Sequence, residues 1–186
     1  MKKIILTSLV TLGLSAVSVG AYAAGESTIS AGYAQNSIKL YGEKPKDNPK
    51  GFNVKYRYES DDNWGVVGSF VYTHQGYEYR DRGFKVGDSS VSYYSLTAGP
   101  SYRINDYVSV YGLVGAGHGE AEYSYLERTR WGLRSESGSG SKTELAYGAG
   151  FQVNPIPNIA IDASYEYTKL DDVKVGTWMI GVGYRF

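Results

Sequence analysis

Along most of the chain, apolar and polar residues alternate one by one. In GFNVKYRYE, Phe52, Val54, Tyr56 and Tyr58 share one parity, and Asn53, Lys55, Arg57 and Glu59 share the other. YSLTAGPSYRI sets Tyr94, Leu96, Ala98, Pro100, Tyr102 and Ile104 against Ser95, Thr97, Gly99, Ser101 and Arg103. ELAYGAGFQV, IAIDASYEY and TWMIGVGYRF repeat the pattern, with Leu145, Phe151, Ile161, Tyr165, Trp178 and Tyr184 on apolar parities. A period of two is the signature of a strand with one apolar face. WGVVGSFVYTHQ alternates less cleanly, with Trp64, Val66, Phe70 and Tyr72 on its more apolar side, and TISAGYAQ more weakly still. In YVSVYGLVGAG the pattern is ambiguous, and Val108, Val110, Val114 and Ala116 are taken as the outward set.

Eight strands result, and their connections alternate in length. ESDDN, RINDY and NPIPN are short. The other connections are longer or more polar, at about 37–50, 76–90, 119–142 and 168–174. In an antiparallel meander, alternate connections lie at opposite ends. Short turns at one end and long loops at the other are the habit of outer-membrane barrels.

Composition decides which face is inside. Lys55, Arg57, Arg103 and Arg185 balance Glu59, Glu144, Asp162 and Glu166, all on non-aromatic faces. Gly148, Gly150, Gly181 and Gly183 share those faces. A solvated face has no need of glycines, whereas the interior of a narrow barrel does. The apolar faces end in Tyr, Trp or Phe, as interfacial girdles do. The reading is therefore an eight-stranded antiparallel up-and-down transmembrane β-barrel, with an ion-paired interior and an apolar exterior.

The first 23 residues stand apart. Lys2 and Lys3 precede an apolar stretch that ends in Ala21-Tyr22-Ala23, the form of a cleaved secretory signal peptide. The expected barrel domain is then 24–186. The chain has 19 Lys and Arg against 19 Asp and Glu, so loss of Lys2 and Lys3 leaves a net charge of −2. That balance offers no global basic footprint for nucleic acid. With no cysteine and no HExxH spacing for His74 and His118, neither a metal site nor a cofactor is expected.

The strand segments GFNVKYRYE, NWGVVGSF, TAGPSYRIN, YGAGFQVNP, DASYEY and VGTWMIGVGYRF resemble those of the outer-membrane protein X / Ail / Lom family. YTHQGY and YGLVGAGHG are more similar to the Ail branch, the attachment-invasion proteins. The resemblance implies an outer-membrane location. In the Ail branch it also implies attachment to host cells or matrix and resistance to complement.

Candidate chemistry follows from these placements. Asp162 and Glu166 lie four residues apart on one strand face, about 13 Å at ~3.3 Å per residue. That is too far for a glycosidase pair, and no nucleophile or base accompanies them. No catalytic residue is assigned. Eight strands enclose only enough room for side chains, which argues against a general porin.

Recognition by loops remains. Lys39, Lys44, Lys46 and Lys50 outweigh Glu43 and Asp47 in the first. Phe84 lies between Arg82 and Lys85 in the second, and Arg128, Arg130 and Arg134 gather around Trp131 in the third. Clustered cations beside aromatic anchors suit polyanions. The expected anchors are Lys44, Lys46, Arg82, Phe84, Lys85, Arg128, Arg130 and Trp131. The expected partners are outer-membrane lipid and lipopolysaccharide, host matrix proteins or sulfated glycans, and complement regulators, met by a monomer. The rival reading is a structural envelope protein with no host ligand.

Overall fold

The computed structural model describes residues 26–40, 48–60, 63–81, 84–129, 132–170 and 173–186. They form one closed antiparallel barrel, β1 (Glu26–Leu40), β2 (Lys50–Glu59), β3 (Trp64–Asp81), β4 (Phe84–Asn105), β5 (Val108–Thr129), β6 (Gly132–Ile156), β7 (Ile159–Leu170) and β8 (Val173–Arg185), in chain order. Closure is by β1 against β8, from Thr28 opposite Arg185 to Leu40 opposite Val173. Beyond that ladder, Ser27 and Phe186 exchange backbone hydrogen bonds of 2.9 and 2.8 Å. Closing the sheet leaves no unpaired edge in the apolar zone, which hydrocarbon requires.

The short turns have identifiable causes. Asn105 Oδ1 accepts from the amides of Tyr107 and Val108, both at 2.9 Å, and folds the chain from β4 into β5. Asn63 adopts a left-handed φ of 59° before β3, and its carbonyl accepts from the Arg103 amide at 2.7 Å. Asn154 Nδ2 donates to the Ile159 carbonyl at 3.1 Å across the β6–β7 turn. Short polar side chains thus replace the backbone partners that the turns lose.

Parity assigns the faces. Leu96, Val66, Val114, Leu145, Phe151, Ile180 and Val182 are exposed on the outside, whereas Asn53, Ser69, Thr97, Ser109, Gln152 and Thr177 are buried inside. In β5 the outward set is Val108, Val110, Val114 and Ala116, and Tyr111 and Leu113 point inward. Aromatic pairs ring the barrel at two levels. Trp178–Tyr33, Phe52–Tyr72, Tyr72–Tyr94 and Tyr147–Tyr167 lie 5.0–5.8 Å apart toward one end. Trp64–Tyr102, at 4.9 Å, and Tyr184–Phe186, at 6.3 Å, lie toward the short-turn end. Such belts mark the two interfaces of a membrane.

The strands are unequal. β4, β5 and β6 have 22, 22 and 25 residues, whereas β2 has 10. The stretches 76–90 and 119–142, expected as loops, therefore continue largely as paired strand. Gly76 to Asp81 pair with β4, and Gly119 to Thr129 pair with β6 from Lys142 to Gly132. Their serines and glycines look like loop composition, but alternate pairing with a neighbouring strand supplies all the backbone needs. Where β2 and β7 stop, β3–β6 continue as a free four-stranded ribbon.

Candidate functional site: a filled interior and a charged rim

The interior is built from strand parity. Lys55 is placed on the inner face of β2 and Asp162 on the inner face of β7, and Lys55 Nζ meets Asp162 Oδ1 at 2.5 Å. Both residues are 2% exposed. Lys55 also donates to Ser164 Oγ at 2.8 Å, and Tyr111 donates to Asp162 Oδ2 at 2.5 Å. Nearer the short turns, Glu59 gathers three arginines. Arg57 Nη2 reaches its Oε1 at 2.5 Å, Arg103 holds both carboxylate oxygens, and Arg185 Nε stands 3.7 Å away. Arg185 also pairs with Glu26 at the mouth.

Two of the expected interior residues behave otherwise. Glu166 is fully buried, yet no cation reaches it among the described residues. Tyr93 and Thr97 donate to its carboxylate at 2.9 and 3.2 Å instead. Glu144 lies on the inward parity but is only half-buried, outside every ion pair of the described residues. Cross-strand register explains both. A charge count along single strands cannot say which heights coincide around the barrel.

The polar layers are interrupted by apolar ones. Val67, Tyr111 and Leu113 form one inner cluster, and Ala34, Val71 and Met179 another. The inward glycines make room for this filling. A Cβ at Gly150 would stand 2.5 Å from the Tyr111 ring. Asn36, Thr73 and Thr177 close a further layer, with Asn36 Nδ2 donating to Thr73 Oγ1 at 2.7 Å and Thr177 to Asn36 Oδ1 at 2.9 Å. The interior is packed with side chains rather than open.

The long-hairpin end carries the surface chemistry. Among the expected anchors, Lys44, Lys46, Arg82, Arg130 and Trp131 lie outside the described residues. Phe84 and Lys85 open β4, opposite Asp81 and Arg80, and Arg128 stands near the end of β5 opposite Leu133. Pairing thus brings Phe84 and Lys85 to the tip of the β3–β4 hairpin and Arg128 to the tip of the β5–β6 hairpin.

A feature with no trace in any single strand is a row of lysines. Lys39, Lys174 and Lys169 are direct neighbours across β1, β8 and β7. Lys174 and Lys169 are exposed, on the same outward parity as Trp178 and Tyr165. On β2 and β3, Lys50 is opposite His74, and His74 Nδ1 lies 3.0 Å from Ser92 Oγ. His118 Nδ1 lies 2.7 Å from Thr143 Oγ1. Farther along the ribbon, Asp88, Ser90, Glu122, Ser124, Ser137 and Ser139 line an acidic hollow of about 350 Å³. Cations therefore sit at the girdle, and a carboxylate-lined surface sits above it.

An apolar exterior between two aromatic belts, around an ion-paired interior, defines a bacterial outer-membrane β-barrel. The profile described as outer membrane protein beta-barrel domain matches residues 9–186. The chain belongs to this family, in the group that holds the attachment invasion locus proteins and outer membrane protein X, and its location is the outer membrane. It is 58% identical over 186 residues to the attachment invasion locus protein of Yersinia enterocolitica, covering 100% of both chains. It is 44% identical over 192 residues to outer membrane protein X of Escherichia coli strain K12, again covering 100% of both. Among solved structures, it is similar to Ail of Yersinia pestis in complex with the heparin analogue sucrose octasulfate. The identity is 59%, the TM-score 0.77, and the coverage 87% of this chain and 99% of that one.

Proposed function

We propose that the protein attaches the bacterium to host cells or matrix by binding sulfated glycans at its extracellular end, without covalent chemistry. Resistance to complement is a linked outcome of the same surface, through complement regulators held there or through masking. The observation that carries this reading is the Yersinia pestis relative, solved with a heparin analogue and sharing 59% identity with this chain. The cations Lys44, Lys46, Arg82, Lys85, Arg128 and Arg130, with Phe84 and Trp131 as aromatic anchors, are the proposed contacts. Short turns belong in the periplasm of such barrels, which directs the long hairpins outward.

The lysine row favours a second contact, with the membrane itself. Like charges directly opposite across strands are destabilising. An anion held by Lys174 and Lys169 removes that cost, and lipopolysaccharide phosphates lie at the height of an outer girdle. The protein works as a monomer on this reading.

The test compares bacteria carrying the wild-type protein with bacteria carrying Arg128→Ala, Arg130→Ala and Trp131→Ala together, at matched surface amounts. The expected result is a loss of binding to heparin-coated surfaces and to host cells by at least tenfold, since anchors of this kind each contribute 1 kcal/mol or more, roughly, when truncated. Undiminished binding contradicts the assignment of these anchors.

A further inference from the structure

We infer that the barrel holds a small monovalent anion of the halide class between Arg57, Thr28 and Arg185, near its short-turn end. Thr28 is the direct cross-strand neighbour of Arg57 on β2 and of Arg185 on β8, so the three occupy one row on three adjacent strands. Adjacent backbones are about 4.8 Å apart, so the three side chains leave the sheet side by side on its inner face. Thr28 and Arg57 are each 2% exposed.

The donors in this row exceed the acceptors. Among the described residues, Thr28 Oγ1, Arg57 Nε, Arg57 Nη1 and Arg185 Nε have no hydrogen-bond partner. Among the described residues, Arg57 is tied to protein only through Nη2. Charge is unbalanced in the same place. Arg57, Arg103 and Arg185 share the single buried carboxylate of Glu59, and the only other carboxylate on them, among the described residues, is Glu26 at the half-exposed mouth. Among the described side chains, three guanidinium groups against two carboxylates leave one positive charge, and buried charge without a partner is costly.

Water would satisfy the donors and leave the charge. A monovalent anion does both. The groups on offer only donate, apart from one hydroxyl that can turn either way, so the occupant must accept and need not donate. A halide meets that requirement, and it is small enough to lie between side chains of neighbouring strands. Its route is the short-turn mouth, where Arg185 is partly exposed. A ligand held by the folded barrel alone raises its stability with concentration, so chloride becomes a structural part of the barrel floor.

The experiment uses the folded barrel in detergent micelles, with sodium bromide replacing sodium gluconate at constant ionic strength. Backbone amide shifts of Ser27, Thr28 and Arg57 are followed, and crystals soaked in bromide supply anomalous difference maps. The expected result is a saturable shift and a bromide peak in contact with Thr28 Oγ1 and Arg57 Nη1. Thr28→Val, which keeps the shape and removes the hydroxyl, weakens bromide by roughly tenfold, as expected for a hydrogen bond to a charged group. Arg57→Met abolishes the response. Should Arg57→Met fail to fold, Thr28→Val alone decides. Shifts that never saturate, shifts unchanged by Thr28→Val, or a peak seen only at soaking concentrations overturn the inference.

Discussion

At the scale of single residues, the interior depends on matched partners rather than on charge itself. Lys55 and Asp162 are buried together, each with a second hydrogen bond, to Ser164 and from Tyr111. Removing one member strands the other in a low-dielectric space, at a cost of about 3–5 kcal/mol, whereas removing both can be nearly neutral. Asp162→Leu is therefore expected to lose about 3–5 kcal/mol in denaturant unfolding from micelles. Lys55→Met with Asp162→Leu together should recover most of that. A double variant that loses the sum of the two single-variant losses would show that the pair contributes nothing as a pair. The sequence made the charged positions legible because Lys55, Arg57, Arg103 and Asp162 fall on the parity opposite the aromatic residues. It left their partners illegible. Glu166 turned to Tyr93 and Thr97, and Glu144 to no cation among the described residues, because partner choice depends on register across the barrel.

At the scale of strands and hairpins, alternation carried far. It identified all eight strands and the outward face of each, and even the ambiguous β5 has Val108, Val110, Val114 and Ala116 outside. It failed where small polar residues pair as strand. Stretches 76–90 and 119–142 lack an apolar face because the ribbon has no lipid on either side, so the signal that marks a strand is absent while the ladder persists. The lysine row was hidden for a related reason, since its members are far apart in sequence and meet only through β1–β8 and β7–β8 pairing. This separation of barrel from ribbon has a consequence. Joining Gly119 to Lys142 by a tight turn removes the β5–β6 part of the ribbon and leaves every aromatic belt in place. Such a variant is expected to keep the folded barrel, read as resistance to unfolding in detergent electrophoresis, while losing most glycan binding. Loss of the fold would mean that the ribbon is integral to barrel stability.

At the scale of the molecule, the architecture divides labour. Two inner apolar clusters and several polar layers fill the barrel, and on the proposed reading the span holds the long-hairpin end at the cell surface. That reading directs function to the exposed cations, and a charge-based capture has a distinctive response to salt, because exposed charges are screened over about 8–10 Å at 0.1–0.15 M ionic strength. The most direct measurement is binding of the protein, inserted in lipid bilayers, to immobilised heparin across a sodium chloride series. The account predicts binding that weakens steeply and log-linearly as salt rises, with a shallower slope once Arg128 and Arg130 are changed to Ala. No binding at low salt, or binding indifferent to salt, would contradict it.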